Sequence, residues 1–314
     1  MAPLFQSVSL DQSWDERCLD LCRAAVRLKS IGVQDALILL RASFGAPRVQ
    51  HLLRCAPSAG HLSLKKFDDI QRDALARITN SRLSDTQWLQ ATLPIREGGL
   101  GLRRVESLAL PAFLSAAAST SILQDALLMS CPCPLDTFTN QYLLSWTVQY
   151  GAMAPEGTFA FKQSSWDKPG IVADKILVTA GLQQPREKAI FLAASVPYSG
   201  AWLSALPITS CGLRLDDEAV RVGVALRLGL DVCEAHECRC GSNVDTWGLH
   251  AMVCKKAPAR STRHHALNDI IARAITSAWV PVMKEPSGLS RTDGKRPDGL
   301  TLVPWQNARP CPGT

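Results

Sequence analysis

The segment CRCGSNVDTWGLHAMVC, from Cys238 to Cys254, constrains this chain more than any other stretch. It holds three cysteines and a histidine. Zinc takes four nitrogen or sulfur ligands in a tetrahedron at about 2.0–2.3 Å, so four such side chains at close spacing can close one shell. Cys238 and Cys240 form one pair, and His250 and Cys254 form the other. A helix through the second pair sets both side chains on one face. Gly241 directly after Cys240 permits the positive φ that a tight metal loop requires. Cys233 and His236 lie just upstream and compete as ligands. The set Cys238, Cys240, His250 and Cys254 points to a structural zinc. A shell of four protein donors leaves no position for a reacting water.

Eleven cysteines raise the question of compartment. Their number is odd, and Met1 to Trp14 contains no basic start followed by an apolar core. Both features argue for reduced thiols, hence for the nucleus or cytoplasm rather than secretion. The net charge of +6 is concentrated in one place. Between Lys255 and Arg296 nine basic residues face three acidic ones, which accounts for the whole excess. A local basic block points to a polyanion partner, DNA or RNA. Lys255, Lys256, Arg260, Arg263, Arg291, Lys295 and Arg296 are its candidate phosphate contacts. The uncharged run Ser107–Gln124 approaches the length of a membrane span. It is rich in Ala, Ser and Thr, contains Pro111, and is flanked by Glu106 and Asp125. A buried or half-buried helix is the expectation, with no membrane partner.

The remaining patterns read as mainly α. WDERCLDLCRAAVRL places Cys18, Leu19, Cys22 and Val26 on one helical stripe, with Ser13 as an N-terminal cap. Leu64, Phe67, Ile70, Ala74, Leu75 and Ile78 recur at helical spacing, and Ser84 and Asp85 signal a cap. Gly98, Gly99 and Gly101 break any helix. They lack the GxxxxGK[ST] form of a phosphate loop, so a tight turn seating two helices is the expectation. Shorter helices joined by Pro and Gly turns follow, and DDEAVRVGVALRLGL is a capped amphipathic helix leading up to the cysteine cluster. The boundaries read 1–130, 131–229, 230–259 and 260–314, with the Cys131-Pro-Cys133-Pro run marking the first.

Past the cluster, Leu267, Ile270, Ile271, Ala274, Ile275 and Ala278 form a helical stripe. Val280–Lys284 and PDGLTLV read as two strands, with Glu285 at the end of one and Asp298 at the start of the other. Carboxylates at a sheet edge can hold Mg²⁺ through hard oxygen ligands. The tail QNARPCPGT adds no acid, so this element reads as incomplete.

Taken in order, these motifs resemble the C-terminal region of a non-LTR retrotransposon polyprotein, of the kind that carries a restriction-enzyme-like endonuclease after its reverse transcriptase. LPIREGGLGLRRVESLALPAFLSAA is similar to the thumb and post-thumb stretch. CRCGSNVDTWGLHAMVCKK is similar to the family's three-Cys, one-His knuckle. RHHALNDIIARA and SRTDGKRPDGLTLVPW are similar to the opening of its PD-(D/E)xK endonuclease. The resemblance implies a helical thumb-like region over 1–130, a connecting region over 131–229, a zinc knuckle over 230–259 and a truncated endonuclease-like segment over 260–314. It implies a metal-binding catalytic role for Asp298, with Arg296–Pro297 leading in, and a weaker one for Glu285. His265 stands where the family commonly has Asn. No YxDD-like motif occurs, and WQNARPCPGT replaces the W-D-x-T strand that brings the second metal-binding acid. The expected function is that of a nucleic-acid-binding retroelement fragment with structural Zn²⁺ and an incomplete nuclease site. The alternatives are a Mg²⁺-dependent DNA-nicking endonuclease and a translated pseudogene product without activity.

Overall fold

Leu10, Trp14, Cys18, Leu21, Ala25 and Leu28 recur every three or four residues, and helix α1 (Val8–Leu28) buries all six. This row corrects the stripe read from the sequence. Cys18 belongs to it, but Leu19 and Val26 are 56% and 62% exposed, and Cys22 is exposed as well. A shift of one residue turns a helix by about 100°, enough to move a side chain from core to solvent. Ser13 is not a cap either. It sits inside α1 and its hydroxyl donates to the Ser9 carbonyl at 2.7 Å.

The computed structural model describes residues 8–127, 137–257, 259–290, 294, 296–306 and 309–312. The Cys131–Cys133 pair lies outside the described residues. The chain divides into two compact units, Met1–Val232 and Cys233–Thr314. It is mainly helical, with short strands confined to the second unit.

In the first unit α1 is followed by α2 (Val33–Leu39), a π-helical turn over Leu40–Phe44, α3 (Ala46–Cys55), α4 (Leu62–Thr79) and α5 (Asp85–Thr92). The Ser84 cap is present as a capping box. Its hydroxyl accepts from the Gln87 amide while the Gln87 side chain accepts from the Ser84 amide. Helix α4 buries the expected Leu64, Phe67, Ala74, Leu75 and Ile78, and also Asp68 and Gln71. Asp68 holds the start of α6 (Val105–Leu127), accepting from the Val105 and Glu106 amides at 2.8 and 3.1 Å.

The glycine-rich segment is the expected turn between α5 and α6. Gly98 and Gly101 take φ of +93° and +77°. Gly99 lies so close to its neighbours that a Cβ there would come within 2.0 Å of the Leu93 carbonyl oxygen. In α6 the Ala-rich run is buried over Pro111, Ala112, Leu114 and Ser115, then exposed at Ser119, Thr120 and Ser121. The hydroxyls of Ser115, Ser119 and Ser121 donate to carbonyls three residues back, which satisfies them within the helix. No helix among the described residues is long and apolar enough to cross a membrane.

The unit continues through α7 (Thr137–Tyr150), α8 (Gln163–Gly181), α9 (Pro185–Ala194), α10 (Ala201–Ser204) and α11 (Asp217–Leu228). Val220, Val224 and Leu228 of α11 pack into the same core as Trp14, Phe67 and Leu75. Asp216 caps α11 through the Ala219 amide, and Gly229 ends it in the left-handed conformation. Arg227, buried on this helix, donates to the Gly99 and Ile95 carbonyls at 3.0 and 2.7 Å, fastening the glycine turn.

In the second unit β1 (His236–Glu237) pairs antiparallel with β2 (Asn243–Val244). After α12 (His250–Val253) and α13 (Ala259–Ser277), an antiparallel sheet forms in the order β3 (Val282–Lys284), β4 (Gly299–Gln306), β5 (Arg309–Pro312). Both strands expected at the basic end are present. The helical stripe on α13 is present in sequence but not in packing, since Leu267, Ile270 and Ile271 are 54–56% exposed.

Candidate metal centre

The β1–β2 hairpin is only two residues deep, and its turn carries the first ligand pair. The Cys238 amide donates to the Ser242 carbonyl at 2.9 Å, and the Gly241 amide donates to the Cys238 carbonyl at 2.8 Å. Gly241 closes this turn at φ +85°, the positive value its position after Cys240 suggested. The second pair comes from α12. His250 opens the helix and Cys254 follows its last residue, with the Cys254 amide donating to the His250 carbonyl at 2.8 Å.

The four donor atoms meet. Cys238 Sγ lies 3.7 Å from Cys254 Sγ, and Cys240 Sγ lies 3.1 Å from His250 Nε2. All four lie within 4.8 Å of one another. A tetrahedron with Zn–S arms of about 2.3 Å has edges of about 3.8 Å, so the thiol pair already has the spacing that zinc imposes. The chemistry of the donor set also fits, because three soft sulfurs and one imidazole select zinc over hard cations. Hydrogen bonds from the Ser242 side chain and backbone hold the Cys240 thiol down at about 6, so it reaches the thiolate form readily. At Cys254 the Lys256 amide favours the thiolate, but desolvation and the adjoining Cys238 and Cys240 thiols outweigh it and push the value up. Cys254 is the buried member of the four.

The two competing ligands point elsewhere. The Cys233 thiol donates to the Asp245 carbonyl at 3.4 Å, and the His236 ring Nδ1 lies 2.8 Å from the Glu234 carbonyl. Among the described residues, Cys238, Cys240, His250 and Cys254 are the group of metal-ligating side chains whose donors converge. Four protein donors close the shell, and a metal held here would act structurally.

Of the expected phosphate contacts, the side chains of Lys255, Lys256 and Arg296 are among the described residues. Lys255 and Lys256 follow the last ligand and are exposed, and Lys256 Nζ reaches the Arg239 carbonyl at 3.5 Å, which ties it to the first ligand loop. Arg296 is exposed next to the start of β4. Arg291 and Lys295 lie outside the described residues, as do the side chains of Arg260 and Arg263 on α13.

The candidate acids are brought side by side. Register pairs Lys284 with Gly299, so Glu285 and Asp298 flank the same end of the β3–β4 ladder, and the Glu285 amide donates to the Asp298 carbonyl at 3.0 Å. Glu285 takes φ +45° there. Each carboxylate faces a histidine on α13. Asp298 Oδ1 lies 3.4 Å from His264 Nε2, and Glu285 Oε1 lies 3.3 Å from His265 Nδ1. Asp269, also on α13, pairs with Lys284 on β3, whose ammonium holds its carboxyl below the usual range. Sequence reading missed His264, Asp269 and Lys284. The contacts link a helix to a strand up to 34 positions away (His264 to Asp298), and no local period encodes them. The chain matches no protein-family model, and no curated protein matches it.

Proposed function

We propose that this chain is a nucleic-acid-binding fragment of a retroelement reverse transcriptase/endonuclease protein. The observation that carries this reading is the Cys3His cluster, with the exposed Lys255 and Lys256 set directly after its last ligand. In this reading zinc fixes the β1–β2 hairpin to α12, and that fixed frame orients the lysines and the basic residues that follow toward phosphates. Phosphate contacts position a protein without reading bases, and each one releases counterions, so affinity falls steeply with salt.

The test is a gel-shift series with structured RNA, nicked DNA and supercoiled plasmid over a salt gradient. The reading expects salt-sensitive shifts that weaken strongly in Cys240→Ser and Cys254→Ser. Binding that survives both substitutions at full strength would remove the knuckle from the interface.

A second reading, a Mg²⁺-dependent DNA-nicking endonuclease of the PD-(D/E)xK type, is favoured by one observation, the placement of Glu285 beside Asp298. Its residues would be Asp298 and Glu285, with Mg²⁺ supplying the Lewis acid. Nicking of supercoiled plasmid that requires Mg²⁺ and disappears in Asp298→Ala would establish it. Binding without nicking would leave the first reading in place.

A further inference from the structure

Within the unit Met1–Val232, the glycine turn and the first residues of α3 and α8 line an open cavity of about 350 Å³. Three arginines, Arg41, Arg96 and Arg103, line it against a single carboxylate, Asp167. Two of them are fixed. Arg41 donates to the Leu203 carbonyl at 2.7 Å, and Arg103 donates through one amino group to both Asp167 oxygens at 2.6 and 2.7 Å. The third is solvent-exposed. Arg96 is 79% exposed, and its Nε lies 3.8 Å from Glu97, beyond hydrogen-bond reach.

Neutral donors complete the wall. Gln163 accepts from Gln50 Nε2 at 2.6 Å through its side-chain oxygen, which leaves its own amide nitrogen as a donor, and Ser164 adds a hydroxyl. Ala46 and Pro47 begin α3, and Gln163 and Ser164 begin α8. Neither helix has a side-chain cap on its first amides. The positive ends of both helix dipoles therefore add to the arginine charge.

We propose that this cavity is a binding site for a phosphate group, carried either by a small phosphorylated molecule or by a nucleic-acid backbone. Guanidinium forks match phosphate oxygens in pairs, and here two are held in place while the exposed one can close over the ligand. The volume lies near the lower end of the range of about 300–1,000 Å³ for small-ligand sites, which suits one or two phosphates with a sugar. The site lies in a different unit from the zinc cluster and does not depend on it.

The experiment is calorimetric titration of the full chain with inorganic pyrophosphate, repeated in the presence of a single-stranded oligonucleotide. Two variants probe the cavity without disturbing the core. Arg96→Ala removes the exposed guanidinium, and Ser164→Asp places a repelling charge where an acid favours the helix. Arg82→Ala, an exposed arginine outside the cavity, serves as the control. Thermal unfolding confirms that each variant is folded. Wild type and Arg82→Ala should bind pyrophosphate alike, Arg96→Ala about tenfold more weakly, and Ser164→Asp more weakly still. Absence of pyrophosphate binding in the wild type, or equal affinity in all four proteins, overturns the proposal. Displacement of pyrophosphate by the oligonucleotide assigns the phosphate to a nucleic-acid backbone, and its absence assigns a small molecule. Cys254→Ser separates the two readings, since it should weaken nucleic-acid binding through the knuckle and leave pyrophosphate affinity unchanged.

Discussion

Chelating zinc should unfold residues 233–257 and leave the first unit folded. Ordering these roughly 25 residues costs on the order of 25 kcal/mol of backbone entropy, at about 1 kcal/mol each. Against this, the segment buries only two apolar side chains, Val244 and Cys254. Their burial is worth about 4 kcal/mol together. Eight backbone hydrogen bonds outside the β1–β2 ladder hold it, contributing about 8 kcal/mol at about 1 kcal/mol net each. The two-residue β1–β2 ladder adds about 2 kcal/mol at the same rate, and the remaining shortfall, on the order of 11 kcal/mol, lies within the roughly 10–16 kcal/mol that structural zinc supplies to small knuckles. The assay is hydrogen exchange read by mass spectrometry, with metal content measured in parallel. The protein as purified should hold one zinc per chain. After chelation, peptides spanning 233–257 should lose their protection while those of α1 and α4 keep it, and Cys240→Ser should reproduce the effect. Unchanged protection in protein shown to be free of metal would refute the reasoning, because the hairpin and α12 would then be stable on their own contacts.

Four further outcomes follow from the first unit. Gly99→Ala forces a Cβ to within 2.0 Å of the Leu93 carbonyl oxygen and should cost about 3 kcal/mol in urea unfolding. Gly60→Ala meets nothing within 4 Å and carries only its φ of +79°, so it should cost about 1–2 kcal/mol. Burial pushes the Asp68 carboxyl up to about 7, against the amide hydrogen bonds from Val105 and Glu106. The folded state therefore holds this proton more tightly than the unfolded chain, so the contribution to stability is full below about pH 4 and is lost as pH rises to about 7. Asp68→Asn has no proton to lose, and its urea midpoint should fall less than that of the wild type between pH 5 and pH 8; equal slopes would contradict the assignment. Ser84→Ala breaks the capping box and should cost about 1 kcal/mol by the same assay.

Much of the helical order is visible in the sequence because its causes are local. The Ser84 and Asp216 caps, the stripe on α4 and the breaks at Gly98 and Gly101 each depend on residues a few positions apart. Facing directions were less legible. On α1 the apolar residues cover more than half of the helix circumference, and the choice between the Trp14–Cys18–Leu21 row and the Leu19–Cys22–Val26 row was made by α4 packing against it. The buried polar residues were not legible at all. Asp68, Gln71 and Arg227 look like ordinary helix-surface residues, and what buries them is a backbone turn more than 25 positions away that needs their hydrogen bonds.

At the candidate site the division follows the same logic. The four side chains whose donor atoms converge were legible in the sequence, because short spacers, a positive-φ glycine and the i,i+4 spacing of a helix leave little freedom in how one segment brings them together. The sequence by itself also determined where the basic charge accumulates. Tertiary structure alone decided that Cys233 turns to the Asp245 carbonyl, that Glu285 and Asp298 share one strand end with His264 and His265, and that Arg41, Arg96 and Arg103 surround one cavity. Those arrangements depend on which element packs on which, and packing is a property of the whole fold that no local spacing carries.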